Sequence, residues 1–65
     1  MSRPVDAVFV TKQLLDLDVP EGSLAWQAVF EDAVEAAGVL NRRAVAQYIE
    51  QKLELLPNYY FEVKS

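Results

Sequence analysis

The segment SLAWQAVFEDAVEAAG, at residues 23–38, decides the fold of this 65-residue chain. Ser23 is a good N-cap, because its hydroxyl can accept a hydrogen bond from a free N–H of the first helical turn. The apolar residues after it recur at helical spacing and form one stripe, which consists of Trp26, Val29, Phe30, Ala33, Val34 and Ala37. Gly38 suits the left-handed position just beyond a last turn. The segment therefore predicts a helix with one buried face.

The next segment, NRRAVAQYIEQKLELLP at residues 41–57, predicts a second helix. Asn41 can cap its start, and Pro57 cannot continue it. Its buried face is predicted to consist of Val45, Tyr48, Ile49, Leu53 and Leu56. Because only residues 38–40 separate the two helices, we expect them to pack against each other.

The two ends of the chain favour short strands. Residues 59–64 alternate between apolar and polar side chains, which is typical of a half-buried strand. Residues 5–10 are rich in β-branched side chains, and Thr11 could cap a short helix after them. The competing interpretation is one helix from Pro4 to Leu17, although that helix would carry apolar residues nearly all round. A single strand is unstable, so two terminal strands should pair with each other or across a dimer.

The favoured fold class is therefore α+β and mostly helical, with short N- and C-terminal strands flanking a packed helix pair in one domain of residues 1–65. The alternative is an all-α three-helix domain with an extended C-terminal segment. A chain of this length buries a small core, and its lack of cysteine excludes disulfides. Self-association as a homodimer is one remaining source of stability.

The composition excludes several chemistries. The chain has neither cysteine nor histidine, so thiolate and imidazole ligands and the usual catalytic base are missing. Two glycines cannot build a phosphate-binding loop. We therefore expect no enzyme activity, no cofactor and no metal. No apolar run is long enough for a membrane span or a secretory signal, which makes the cytoplasm the expected location and a membrane partner unexpected.

The most informative pair is Arg42-Arg43, in the predicted first turn of the second helix. Cations there oppose the helix dipole, at a cost of about 0.3–1 kcal/mol each, so local stability does not explain them. One explanation is pairing with the first helix's carboxylates, namely Glu31, Asp32 and Glu35. The other is a site that binds a phosphate or a partner's carboxylate. Tyr60, predicted to be exposed on a strand edge, is a second partner-binding candidate.

These features favour a non-catalytic protein–protein interaction or regulatory module that self-associates. The alternative is a DNA-binding regulator, because Val29 to Gln51 loosely resembles a helix-turn-helix. Its second helix would then read DNA with its N-terminal residues, which are Asn41, Arg42, Arg43 and Gln47. The net charge of −4 opposes nucleic acid binding unless the cations are concentrated in one place.

Overall fold

The computed structural model describes residues 4–63, with side chains from Asp6 onward. It contains three α-helices: α1 spans Pro4–Asp16, α2 spans Leu24–Ala37 and α3 spans Arg42–Glu54. A short 3-10 helix at Asn58–Phe61 follows them. No strand occurs within these described residues. The α+β prediction is therefore wrong, and the all-α three-helix alternative fits the fold.

The predicted N-terminal strand is a helix instead. Val10 and Leu14, on one side of α1, are completely buried, whereas Val8 and Leu15, on the other side, are about half exposed. The β-branched residues of this segment misled the prediction, because burial against a neighbour outweighs their weak intrinsic preference for strands. Thr11 consequently lies inside α1 and caps nothing.

The predicted C-terminal strand is also wrong. Without an N-terminal strand to pair with, residues 58–61 satisfy their backbone locally, and the Tyr60 N–H donates to the Pro57 carbonyl at 3.0 Å. Successive residues of a 3-10 helix are about 120° apart, so two neighbours can face the core together. Tyr60 and Phe61 do so, while Tyr59 is 61% exposed. Lys64, the last residue of the predicted strand, lies outside the described residues.

Both predicted N-caps are confirmed. The Ser23 hydroxyl accepts from the Trp26 N–H at 3.2 Å, and the Asn41 side chain accepts from the Ala44 N–H at 2.8 Å. The predicted left-handed conformation of Gly38 is wrong, because its φ of −75° and ψ of −17° are right-handed.

The left-handed residues lie instead between α1 and α2. Asp18 has a φ of 61° and Gly22 a φ of 87°. Asp18 follows α1 in a Schellman motif, in which the Val19 N–H donates to the Leu14 carbonyl and the Asp18 N–H to the Leu15 carbonyl, both at 3.0 Å. Val19 and Leu14 are both buried, as the apolar contact of that motif requires.

The core is centred on α2. This helix makes the extensive contacts with α1, with α3 and with the 3-10 helix, whereas α1 and α3 have no comparable contact with each other. Buried apolar side chains fill the interior, and they are Val10, Leu14, Val19, Ala25, Trp26, Val29, Ala33, Val34, Val45 and Ile49.

Candidate functional site

The start of α3 presents two arginines and unpaired backbone donors to solvent. Asn41 engages two N–H groups, since its side chain accepts from Ala44 and its carbonyl accepts from Val45 at 3.0 Å. The N–H groups of Arg42 and Arg43 find no acceptor in the described part of the chain. Both arginines are exposed. The predicted position of the pair, in the first turn of the second helix, is therefore what the structure shows.

The two arginines differ in their surroundings. The Arg42 guanidinium lies 5.4 Å from the centre of the Phe9 ring of α1, which is a cation–π contact. No hydrogen bond or ion pair within residues 6–63 engages the Arg43 side chain. Arg43 is therefore the more available of the two for an external anion.

The predicted alternative, internal pairing of the arginines with carboxylates of α2, does not occur among the described residues. The cation that reaches α2 is Lys52, whose ammonium donates to the Asp32 carboxylate at 3.1 Å. That hydrogen bond is the main reason why the pKa of Lys52 is raised above its ordinary value of 10.5, and Tyr48 contributes. Lys52 also lies 5.6 Å from the centre of the Tyr48 ring.

An exposed apolar tip precedes the arginines. Val39 is 84% exposed and Leu40 is 44% exposed in the connection between α2 and α3. The sequence alone indicated only a short link between two helices here. Their exposure could have been predicted, because two large apolar residues follow each other in a very short connection. Such a turn has few neighbours that could cover them.

Tyr60 does not lie where it was predicted. It is partly buried against the core, and the exposed tyrosine is its neighbour Tyr59. The two rings form an edge-to-face pair with centres 5.1 Å apart. The candidate aromatic surface at the C-terminal end is therefore carried by Tyr59, next to a groove of about 510 Å³ lined by Gly22, Leu24, Tyr59 and Glu62.

A groove lies at the end of α3 that is far from the arginines, between this helix, the residue that follows α1 and the 3-10 helix. Its volume is about 300 Å³, and its apolar lining consists of Leu17, Leu53 and Phe61. Glu50 and Glu54 complete the lining, and both are exposed. This end of α3 is therefore apolar and acidic, where its start is apolar and basic.

Both charged ends share one face of α3. Successive helical residues are about 100° apart, so six residues fall within an arc of about 120°, and these are Arg42, Leu53, Ala46, Glu50, Arg43 and Glu54. None of them is fully buried. The face is thus basic in its first turn and acidic in its last two turns.

Within residues 4–63, no group of three or more acidic side chains has a metal-binding arrangement, and no helix has both the length and the apolar character needed to cross a membrane. Comparisons with protein families, with curated proteins and with solved structures found no match for this chain.

Proposed function

We propose that this chain is a non-catalytic interaction or regulatory module that binds a protein partner through the start of α3. The observation that carries the proposal is the state of Arg43. It is exposed, it has no anionic partner within residues 6–63, and it lies at the electropositive end of a helix. A carboxylate of a partner would satisfy the guanidinium and the free N–H groups together.

The exposed tip supports a protein as the partner. Val39 and Leu40 lie immediately before the arginines and add apolar surface to a charged one. Protein interfaces combine apolar contacts with arginine, and arginine is enriched among the residues that contribute most to binding. The partner we propose therefore carries carboxylates beside an apolar patch.

The test is affinity capture from a native lysate with three forms of the chain. We expect the wild type to capture a partner that Arg43→Glu does not, because the substitution places a negative charge against the partner's carboxylates. Lys12→Glu is the matched control, since it changes the charge equally at an exposed position of α1. Equal capture by Arg43→Glu and the wild type would contradict the proposal.

DNA binding is the second candidate, because the four residues that the sequence suggests for it are all exposed. Asn41, Arg42, Arg43 and Gln47 lie on the surface around the start of α3. Two features weigh against it. The Asn41 side-chain oxygen already accepts the capping bond, and Glu50, one turn beyond Gln47, would approach the phosphates.

Titration with duplex DNA at about 50 mM salt tests this candidate, because phosphate contacts are strong at low salt. DNA binding predicts amide shifts over residues 41–47, together with weaker binding by Arg42→Gln and Arg43→Gln. The leading proposal predicts no shift at these residues.

A further inference from the structure

We propose that two copies of this chain associate through the α3 face that carries Arg42, Arg43, Glu50 and Glu54. The two α3 helices would be antiparallel about a two-fold axis. This inference deepens the proposed function, and rests on it, by naming a second copy as one partner of the Arg42-Arg43 end. The Arg42-Arg43 end of each copy would lie against the acidic end of the other, with Arg43 opposite Glu54. The Val39-Leu40 tip of each would enter the groove of the other that is lined by Leu17, Leu53 and Phe61.

The order of charges along α3 carries the first step. Its face is basic at the start and acidic at the end, so two parallel copies would juxtapose like charges. Two antiparallel copies place Arg43 of one copy opposite Glu54 of the other, while Glu50 lies opposite the neutral Gln47. A two-fold interface uses one patch twice, so each favourable contact occurs twice and the assembly closes at two copies.

The apolar contacts fit the same antiparallel arrangement. Val39 and Leu40 come just before the start of α3, and the 3-10 helix follows its end, so an antiparallel pair brings the tip of one copy to the 3-10 helix end of the other. Phe61 of that 3-10 helix lines the groove with Leu17 and Leu53. Val39 is 84% exposed in a single copy. Its side chain would be removed from water in the groove, which favours association.

The exposure of the charged side chains determines how the stability of such a dimer should depend on salt. The four carboxylates and four guanidinium groups stay near solvent, so their attraction is weakened by salt. The apolar tip and groove would contribute a part that salt does not screen. We therefore expect a reversible dimer that dissociates as ionic strength rises.

Sedimentation analysis across protein concentration, at about 50 mM and 500 mM salt, is the direct test. The wild type should saturate at a dimer, with a dissociation constant at least about tenfold larger at high salt. Arg42→Glu with Arg43→Glu should be monomeric, and so should Glu50→Arg with Glu54→Arg. Both doubles should fold, because they place charges that favour the helix dipole at each end. Circular dichroism checks this.

An equal mixture of the two double variants provides the decisive measurement. One then carries an all-acidic face and the other an all-basic face, so a heterodimer should form from two monomeric proteins. Val39→Ser should weaken the wild-type dimer severalfold at both salt concentrations. Leu55→Ser is its matched control, since Leu55 is 83% exposed but lies on the opposite side of α3.

Three results would overturn the dimer: a wild type that stays monomeric, double variants that associate like the wild type, or growth beyond two copies. The last would indicate head-to-tail contacts. Failure of the dimer is distinguishable from failure of the proposed function. A monomeric wild type whose Arg43→Glu variant still loses its captured partner would refute only the dimer.

Discussion

The starts of α2 and α3 are capped by the same kind of hydrogen bond, but the cap of α2 is buried and the cap of α3 is exposed. Ser23 is 1% exposed, and its hydroxyl also donates to the Pro20 carbonyl at 2.7 Å. Asn41 is exposed, and it is followed by Arg42 and Arg43. The start of α2 is therefore enclosed by protein. The start of α3, with the positive end of its helix dipole and two arginines, faces solvent.

This difference separates stability from recognition. A buried cap has no water to replace it, so its hydrogen bonds must be made within the protein. An exposed cap competes with water, and charges around it can be arranged for an external partner. Changes at Ser23 should therefore affect folding, while changes at Arg43 should affect binding.

The largest effect is expected for Ser23→Ala. It removes the acceptor of the Trp26 N–H in a buried environment, and we expect the free energy of unfolding to fall by about 2 kcal/mol. Urea denaturation followed by Trp26 fluorescence measures it. A loss of stability smaller than that caused by Asn41→Ala would contradict the contrast between the two helix starts.

Asn41→Ala should cost about 1 kcal/mol, because water can solvate the Ala44 N–H once the side chain is gone. The same denaturation experiment gives the value, which should be smaller than that for Ser23→Ala. Asn41→Asp is the matched control, since it keeps the capping oxygen and should retain or increase stability. A loss in the aspartate variant would show that the cap does more than satisfy one N–H.

The sequence predicted these local features because they depend on few neighbours. A serine or asparagine before an apolar stripe specifies a helix start wherever the helix packs. The terminal segments were wrong for the opposite reason. Residues 5–10 could be strand or helix until a burial partner was known, and Tyr60 was assigned to the exposed side of a strand that does not form.

The α3 face could be predicted only in part. The position of Arg42 and Arg43 in the first turn was predicted from the Asn41 cap, which is local information. Their lack of carboxylate partners in the described chain was not predictable, because it depends on how α3 is rotated against α2, where Lys52 reaches Asp32. The groove beside Leu53 could not be predicted, because Phe61 lines it from a 3-10 helix in a segment that was predicted to be a strand.

A smaller effect of opposite sign is expected for Arg43→Gln. Removing a cation from the first turn relieves its unfavourable interaction with the helix dipole, so the monomer should gain about 0.5 kcal/mol. Arg42→Gln should be close to neutral, because the same gain is offset by loss of the Phe9 contact. Thermal unfolding at low protein concentration and low salt compares the two. Equal effects would show that the arginines do not differ in their surroundings.

The smallest effect concerns the coupling between α2 and α3. A double-mutant cycle of Asp32→Asn with Lys52→Gln should show a coupling at pH 7, whereas Asp32→Asn with Arg43→Gln should be additive. Folding raises the pKa of Lys52, so this stabilisation is complete below the ordinary value of 10.5 and lost as pH rises through the folded value. Urea denaturation at pH 7 and at higher pH measures both cycles. A coupling of Asp32 to Arg43 as large as that to Lys52 would mean that the arginine is satisfied within its own fold, and the contrast between the two helix starts would then lose its functional meaning.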